Sequence, residues 1–369
     1  MKYYIIAGEA SGDLHASNLI KQLKLLDKSA ELRGWGGDLM KAQGVDLVKH
    51  YRELAFMGFI EVIANLKTIL TNIEFCKNDL MKYQPDALIL VDYPGFNLRI
   101  AKFAHSIGIK VFYYISPQVW AWKQSRVHAI KKTVDRMFVI LPFEKDFYKK
   151  FDYDVSFVGH PLLDVIEEEK ATDNFLLKDN LTDKPVIALL PGSRKQEITT
   201  MLPVMMSVQN DFKEYQFIIG AAPSVPKEFY NNLIGSTEIK IVYNQSYDLL
   251  KIAKAALVTS GTATLETALF EVPEVVCYKG NVLSYQIARQ LIKVKYIALA
   301  NLILDKPALK ELIQSDFTKE NLVTELNKLL NDSSYRNEML QNFKNLKKIL
   351  GGKGASEKTA KEIYENLLK

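Results

Sequence analysis

Short runs of apolar residues alternate along this chain with longer segments whose apolar residues recur at helical spacing. In the first half, the runs that predict strands cover residues 3–7, 32–35, 87–91, 111–115 and 137–141. In the second half, the corresponding runs cover residues 186–190, 217–219, 239–243, 256–259 and 275–278. This alternation is typical of parallel sheets covered by helices. The pattern therefore predicts an α/β protein with doubly wound parallel sheets.

A polar stretch at residues 167–184 interrupts the alternation and contains few bulky apolar residues. We expect a linker there, between a domain of residues 1–170 and a domain of residues 183–342. The chain has 369 residues, of which 48% are hydrophobic, so it can bury the cores of two domains. Because ligands bind at the carboxyl ends of the strands in such sheets, we expect the two domains to face a ligand-binding cleft.

The composition narrows the class of protein without naming a reaction. A net charge of +5 is compatible with a phosphorylated partner or an anionic membrane surface, and it demonstrates neither. The two cysteines, Cys76 and Cys277, have no metal or redox spacing, which favours a reducing cytoplasm. The N-terminus lacks a signal-peptide core, and no stretch approaches the roughly 18 apolar residues of a membrane-spanning helix. We therefore expect a soluble or peripheral protein.

A small-residue turn, S-G-T-A-T-L-E at residues 260–266, follows the strand-like run at 256–259. The first N–H groups of a helix lack partners and carry partial positive charge, so such a turn can bind a diphosphate. Gly261 allows close approach of the backbone, and Glu266 could reach a sugar hydroxyl. Hydroxyl donors are available at Ser260, Thr262 and Thr264. A capped helix with a buried apolar face explains the same residues equally well.

A second candidate phosphate contact follows the run at 186–190, where the chain reads Pro-Gly-Ser-Arg. The guanidinium of Arg194, next to Ser193, matches phosphate oxygens with paired donors. An arginine that neutralises a surface carboxylate is the alternative. Since this turn and the turn at 260–266 both end parallel strands of one predicted domain, the phosphate interpretation is favoured.

The first predicted domain also carries polar residues at its strand ends. The segment G-E-A-S-G-D at residues 8–13 lacks the spacing of a dinucleotide loop or a Walker site, so neither NAD nor a nucleoside triphosphate is indicated. Glu9 and Ser11 are expected to face the cleft, although Asp13 as a helix cap would also explain the turn.

Asp92 follows the run at 87–91 and opens the segment D-Y-P-G-F-N. A carboxylate at the end of a hydrophobic strand is partly desolvated, which raises its basicity and suits it to accept a proton from a hydroxyl nucleophile. Asp, Pro and Gly also form turns, with Asn97 available to cap the next helix. Because Pro94 and Gly95 already account for a turn, Asp92 is the best candidate base.

An aromatic segment, S-P-Q-V-W-A-W at residues 116–122, precedes a basic helical stretch. It could contact a phosphorylated ligand, or its tryptophans could simply anchor a loop. Nucleic-acid binding is not favoured, because the basic residues form one short patch outside any known binding module.

Taken together, these motifs closely resemble those of the lipid A disaccharide synthase family, glycosyltransferases of bacteria with an outer membrane. The matching segments, in the family's order, are A-G-E-A-S-G-D at 7–13, D-Y-P-G-F-N at 92–97, S-P-Q-V-W-A-W at 116–122, L-P-F-E at 141–144, F-V-G-H-P at 157–161, L-L-P-G-S-R at 189–194 and S-G-T-A-T-L-E at 260–266. The resemblance implies a GT-B fold of two Rossmann-like domains, with a C-terminal helix at 343–369 that returns to the first domain.

The family joins UDP-2,3-diacylglucosamine to 2,3-diacylglucosamine 1-phosphate (lipid X), which releases UDP and forms the β-1,6-linked disaccharide of lipid A with inversion. The resemblance assigns the base to Asp92 and stabilisation of the leaving diphosphate to Arg194. It places the UDP contacts at Ser193, Arg194, Ser260, Gly261, Thr262 and Glu266. It adds Asn301 to them, although Ala300 stands where the family has proline. The residues expected on the acceptor side are Glu9, Ser11, Gln118 and Trp120.

No cofactor is implied, and no metal, since GT-B enzymes can offset leaving-group charge with helix dipoles and basic side chains. The literal D-x-D at residues 152–154 is interpreted as a turn into a strand. Two rival functions are a UDP-sugar epimerase of the same fold and a non-catalytic carrier of a UDP-sugar or lipid.

An amphipathic segment between residues 59 and 73 is either a helix covering the sheet or a membrane-docking element. The resemblance favours docking on the cytoplasmic face of the inner membrane. The docking residues would be Phe59, Val62, Ile63, Leu66 and Ile69. A homodimer is left open.

Overall fold

The computed structural model describes residues 1–53, 66–168, 182–235, 237, 239–281, 285–286 and 294–369. Up to residue 168, its helices and strands are β1 (Lys2–Ala7), α1 (Ala10–Leu26), β2 (Glu31–Gly36), α2 (Asp38–Ala42), β3 (Asp46–His50), α3 (Leu66–Tyr83), β4 (Ala87–Val91), α4 (Pro94–Ser106), β5 (Lys110–Tyr114), α5 (Val127–Thr133), β6 (Arg136–Val139), α6 (Pro142–Lys149), β7 (Ser156–Phe157) and α7 (Leu162–Glu168).

Beyond residue 168, the elements are β8 (Val186–Leu190), α8 (Lys195–Met206), β9 (Gln216–Ala221), α9 (Lys227–Ile234), β10 (Lys240–Tyr243), α10 (Ser246–Ile252), β11 (Ala253–Thr259), α11 (Thr262–Leu269), β12 (Glu274–Tyr278), α12 (Leu299–Leu304), β13 (Lys310–Ile313), α13 (Lys319–Asn331), α14 (Ser333–Ile349) and α15 (Ala355–Leu367). The chain divides into two compact units. One comprises Met1–Asp164 with Leu350–Lys369, and the other comprises Val165–Ile349.

The first unit contains a parallel sheet of strand order β3-β2-β1-β4-β5-β6-β7. Its central strands are buried on both faces, which explains why β4 reads Ala-Leu-Ile-Leu-Val without a polar residue. The helix α15 packs against α1, so that Ala360 and Ile363 share one apolar core with Leu19 and Leu23. The C-terminal residues therefore complete the core of the first unit.

The second unit contains a parallel sheet of order β10-β9-β8-β11-β12-β13. In each sheet the strand order reverses next to the first strand of the unit, between β1 and β4 and between β8 and β11. The predicted α/β class with doubly wound parallel sheets is confirmed.

Two strands, β3 and β13, were not predicted because they are edge strands of low apolar content. Asp46–His50 reads D-L-V-K-H and Lys310–Ile313 reads K-E-L-I, and each has a neighbouring strand on one side. An edge strand needs no continuous apolar run, so its sequence resembles that of a loop. The predicted turn at 152–154 does lead into a strand, the short β7.

The predicted C-terminal helix at 343–369 is divided between two helices, which corrects the expectation of a single element. The helix α14 ends at Ile349 and α15 begins at Ala355. Between them Gly351, Gly352 and Gly354 adopt φ of +90°, +71° and +101°, a left-handed conformation that favours glycine.

The F-V-G-H-P segment holds the returning chain in the first unit. The N–H of His160 donates to the Leu350 carbonyl at 3.1 Å. The Asp164 carboxylate accepts the N–H groups of Gly354 and Ser356, at 2.6 and 3.0 Å, at the start of α15. The motif therefore has a structural role, because it binds the chain at Leu350, and Asp164, just beyond the motif, holds the N-terminus of the last helix.

In the part of the chain that the structure describes, no helix is both long enough and apolar enough to cross a membrane.

Replacing Asp164 with alanine should lower the free energy of unfolding by about 1–3 kcal/mol, because the buried Ser356 N–H and the partly buried Gly354 N–H both lose their acceptor. Urea unfolding followed by circular dichroism measures the change. Asp154→Ala is the matched control, since the Asp154 side chain is 82% exposed. Equal unfolding midpoints for the two variants would contradict the assigned role.

Candidate active site at two strand switch points

The ends of β1 and β4 lie side by side in the first unit, since Ala7 is paired with Val91. Glu9 follows β1 and Asp92 follows β4, and both side chains are half-buried. Helices leave the sheet on opposite sides at a point of strand-order reversal, which opens a crevice at the carboxyl ends of the strands. The fold therefore brings Glu9 and Asp92 to the position where such sheets bind ligands.

The main chain of Asp92 has an uncommon conformation. Asp92 and Tyr93 have φ of +45° and +49°, in the left-handed region that side chains other than glycine rarely occupy. The Asp92 carbonyl accepts hydrogen bonds from Tyr113 Oη at 2.6 Å and Asn97 Nδ2 at 2.7 Å. Asn97 lies in the first turn of α4, where its amide also donates to the Val91 carbonyl. Asn97 is therefore not the cap residue before α4, and its side-chain amide instead holds the turn that precedes the helix.

Burial raises the pKa of the Asp92 carboxyl to about 7, and the nearby Glu9 carboxylate raises it further in the same direction. A hydrogen bond from the Tyr93 main chain opposes this shift. An aspartate with a pKa near neutrality can accept a proton and still be ionised in part of the population. Asp92 therefore has the electrostatic properties of a general base.

The remaining residues of the G-E-A-S-G-D turn divide between packing and exposure. A β-carbon at Gly8 would lie 2.3 Å from the Tyr93 ring, so glycine makes room for that ring. Asp13 is buried and accepts the N–H groups of residues 37, 39 and 40 at the start of α2. It caps α2, a neighbouring helix, whereas Ser11 is exposed on the first turn of α1.

The aromatic segment places its two predicted acceptor residues in different environments. Gln118 is exposed. Trp120 is buried, with its ring edge-on to Phe143 at 4.9 Å between centroids, which is the contact of a loop anchor. Below the loop, the Glu144 carboxylate accepts the N–H groups of Ile140 and Leu141. The L-P-F-E motif is thus a helix-capping device.

In the second unit, the ends of β8 and β11 lie side by side, with Leu190 paired to Val258. Gly192 has φ of +110° and faces Glu197 and Thr259 closely. The Glu197 carboxylate pairs with the Arg194 guanidinium at 2.8 Å and accepts the Ser193 N–H at 3.3 Å. The Arg194 side chain is 57% exposed, so the ion pair orients a guanidinium that stays largely accessible to solvent.

The turn at 260–266 opens α11 and leaves its N-terminus accessible. Gly261 and Thr262 are exposed, and a β-carbon at Gly261 would meet no described atom within 4 Å. Ser260 Oγ donates to the Ile297 carbonyl, and Thr264 Oγ1 donates to the Gly261 carbonyl. The Thr264 hydroxyl therefore stabilises the turn and is not presented as a donor to a ligand.

Glu266 lies one turn into α11, where Tyr247 Oη donates to its Oε1 at 3.0 Å. Burial raises the pKa of Glu266 above its ordinary value. Tyr247 comes from the first turn of α10, and no motif in the sequence linked it to Glu266. The bond between Tyr247 and Glu266 depends on the tertiary structure, which brings the first turn of α10 beside α11.

Asn301 is buried and its amide is used within the protein. Its Nδ2 donates to the Leu309 carbonyl and to Glu311 Oε1, and its Oδ1 accepts the Leu309 N–H. These contacts favour an indirect role, in which Asn301 holds the loop at 297–311. Its predicted contact with the nucleotide stays a prediction.

Of the predicted docking residues, Phe59, Val62 and Ile63 lie outside the described part of the chain. Leu66 is the first residue of α3, and Ile69 is half-buried on that helix. The neighbouring Leu70 is 53% exposed and Phe75 is 48% exposed, whereas Ile73 is buried in the core. At the described start of α3, Leu70 is therefore an apolar side chain that lies largely outside the core, whereas the Phe75 ring lies beside the buried Trp35 ring.

Comparison with solved structures gives the class of the fold. A UDP-GlcNAc 2-epimerase from Methanocaldococcus jannaschii, solved with UDP-GlcNAc and UDP, is similar with a TM-score of 0.69 and 14% identity, over 99% of this chain and 100% of that one. The calicheamicin glycosyltransferase is similar with a TM-score of 0.62 and 14% identity, over 100% and 98% of the chains. With the two parallel sheets, these likenesses define a GT-B fold.

Comparison of sequences gives the family. The chain belongs to the lipid-A-disaccharide synthetase family, whose model matches residues 3–364. A lipid-A-disaccharide synthase from Syntrophus aciditrophicus (strain SB) is 41% identical over 364 residues, which cover 96% of this chain and 95% of that protein. The chain is therefore a glycosyltransferase of lipid A biosynthesis, and the resemblance indicated by the motifs is confirmed.

Replacing Asp92 with asparagine should stabilise the folded chain at alkaline pH. Because the folded-state pKa of about 7 exceeds the ordinary 3.8, the native protein binds this proton more tightly than the unfolded chain does. The contribution of Asp92 to stability thus falls as pH rises between those values. We expect a gain of about 1–2 kcal/mol at pH 8, since partial exposure reduces the roughly 4 kcal/mol expected for full burial.

Urea unfolding of wild type and Asp92→Asn at pH 8, 5 and 4 measures this effect. The gain should shrink at pH 5 and become small at pH 4, where the carboxyl is protonated in the folded state and close to its ordinary pKa of 3.8 in the unfolded chain. Asparagine tolerates the left-handed conformation, so the substitution preserves the turn. A difference in stability that is independent of pH would refute the raised pKa.

Proposed function

We propose that this enzyme condenses UDP-2,3-diacylglucosamine with 2,3-diacylglucosamine 1-phosphate, releasing UDP and forming the β-1,6-linked lipid A disaccharide 1-phosphate. The observation that carries the mechanism is the position of Asp92, a carboxylate of raised pKa at the switch point of the first sheet. The proposal assigns the acceptor to the first unit, which includes Glu9, Ser11 and Gln118. It assigns the UDP-sugar to the second unit.

In the proposed reaction, Asp92 accepts the proton of the acceptor's 6-hydroxyl as its oxygen attacks the anomeric carbon of the donor. The bond between that carbon and the UDP oxygen breaks, and UDP leaves with the bonding electrons. Attack from the side opposite to UDP gives inversion. The Glu9 carboxylate supports this step because it raises the proton affinity of Asp92.

Stabilisation of the leaving diphosphate is assigned to the second unit. The exposed N–H groups at the start of α11 and the Arg194 guanidinium can both receive negative charge as it develops. The Glu197 pair supports this role, since it holds Arg194 beside Ser193 before the ligand binds. We assign to Glu266 the role of accepting a hydrogen bond from a ribose hydroxyl of the nucleotide, and the Tyr247 bond to one of its oxygens supports this assignment.

The acylated substrates give a reason for membrane contact. We assign docking on the cytoplasmic face of the inner membrane to residues 59–70, which would place the first unit against the lipid surface. The exposed Leu70 supports this assignment at the described end of the segment. Whether the enzyme forms a homodimer is answered by measuring its molecular mass in solution.

Asp92→Asn should lower the rate of disaccharide formation at least 10³-fold while UDP affinity changes less than twofold, because the variant removes the base and leaves the second unit intact.

Arg194→Gln should instead weaken UDP binding about tenfold or more, because the diphosphate of UDP loses a charged partner. Product chromatography with both lipid substrates and calorimetry with UDP measure these effects. Lys195→Gln is the control for charge at the neighbouring exposed position.

Substantial turnover by Asp92→Asn would refute the base. The assay also separates the rival functions, since product that requires lipid X excludes an epimerase, and turnover of any kind excludes a simple carrier.

The triple substitution Phe59→Ser, Val62→Ser and Leu66→Ser should reduce binding to phosphatidylglycerol-containing vesicles about tenfold or more, because three apolar side chains are removed from the docking segment. Vesicle sedimentation measures binding, and circular dichroism checks folding. Leu25→Ser, at a leucine 59% exposed on α1, is the control. Unchanged binding of the triple variant would contradict the docking assignment.

A further inference from the structure

We propose that Tyr113 and Asn97 are positioning residues, which fix the main-chain carbonyl of Asp92 and thereby aim its carboxylate at the acceptor. The inference rests on the proposed function of Asp92 as the base. It goes beyond that function because neither side chain would touch a substrate.

The conformation at the end of β4 needs a specific restraint. Asp92 and the bulky Tyr93 are consecutive residues at positive φ, a combination that local sterics disfavour. Without an external hold, the peptide between them would rotate toward an extended or right-handed conformation. Rotation there would carry the Asp92 side chain away from the end of β1 and from Glu9.

Two side chains provide that hold by converging on one oxygen. Tyr113 Oη and Asn97 Nδ2 donate to the Asp92 carbonyl at 2.6 and 2.7 Å, and both side chains are fully buried. Because both donor side chains are buried, water competes little for them, and they restrain the acceptor more strongly than exposed donors would. Burial raises the pKa of Tyr113 far above its ordinary value, which keeps its hydroxyl a donor at any working pH.

The next residue is held from the other side of the turn. The Tyr93 ring packs over Gly8 and lies 5.7 Å from the Phe96 ring. The peptide that joins residues 92 and 93 is therefore held at its carbonyl and at the following side chain. The D-Y-P-G-F-N motif supplies the base, the ring and one of the two donors, while β5 supplies the other donor.

Tyr113→Phe removes a single hydroxyl and is the decisive variant. Tyr114→Phe is a matched control, since Tyr114 is the next residue on β5, is equally buried and points to the opposite face of the sheet. We expect Tyr113→Phe to lower kcat about tenfold or more with KM for both substrates within twofold, because a displaced base loses rate and not binding. Tyr114→Phe should retain kcat within twofold.

The pH profile separates positioning from a loss of stability. A base that has moved out of its partly buried position has a lower pKa, so the acidic limb of kcat/KM should shift to lower pH by at least half a unit in Tyr113→Phe. Asn97→Ala should give the same two changes. The double variant should fall short of the sum of the single effects, because both donors act on one oxygen.

Three outcomes are distinguished by including Asp92→Asn in the same assays. An inactive Asp92→Asn with displaced profiles for Tyr113→Phe and Asn97→Ala supports the inference. If Asp92→Asn is inactive but Tyr113→Phe matches Tyr114→Phe in kcat and pH profile, the inference is overturned. The assignment of Asp92 as the base then still stands. An active Asp92→Asn overturns the base, and with it the inference.

Discussion

The parallel direction of the strands is the constraint on which the rest of this structure depends. Parallel strands all end at one edge of their sheet, so residues that follow different strands are brought together there. In the first unit this edge joins Glu9 and Asp92, and in the second it joins Arg194 and Gly261. Both pairs lie at the point where strand order reverses, which is where a crevice forms. The proposed base and the proposed diphosphate contacts thus each lie at the switch point of their own sheet.

The raised pKa and the backbone conformation of Asp92 come at the expense of local stability. Burial and the neighbouring Glu9 hold a carboxylate above its ordinary pKa, and the same residue occupies a disfavoured backbone region. Each feature destabilises the folded chain on its own. The conformation persists because two fully buried side chains, Asn97 of α4 and Tyr113 of β5, donate hydrogen bonds to the Asp92 carbonyl. A site of this kind is stable only within a rigid sheet, which the continuous apolar strands provide.

The motifs shared with the family divide into two kinds once their contacts are known. The segments around Asp92, Arg194 and Gly261 lie at the switch points. L-P-F-E and F-V-G-H-P instead make structural contacts. Glu144 caps its helix by accepting the Leu141 N–H, and the His160 N–H binds the Leu350 carbonyl of the returning C-terminal chain. A motif can therefore be characteristic of the family because of an intramolecular contact, and recognition of the family by its motifs does not by itself assign roles in chemistry.

The sequence by itself determined the class of fold, the central strands, the family and the candidate base, because each depends on local pattern: buried parallel strands need continuous apolar runs, and Asp92 stands next to one. It did not reveal the edge strands β3 and β13, whose burial is too slight to leave a pattern. The tertiary structure alone decided that Glu9 raises the pKa of Asp92, that Tyr113 bonds to the Asp92 carbonyl and Tyr247 to Glu266, and that the amide of Asn301 bonds within the protein. These relations join residues distant in sequence, and strand order and burial bring them together.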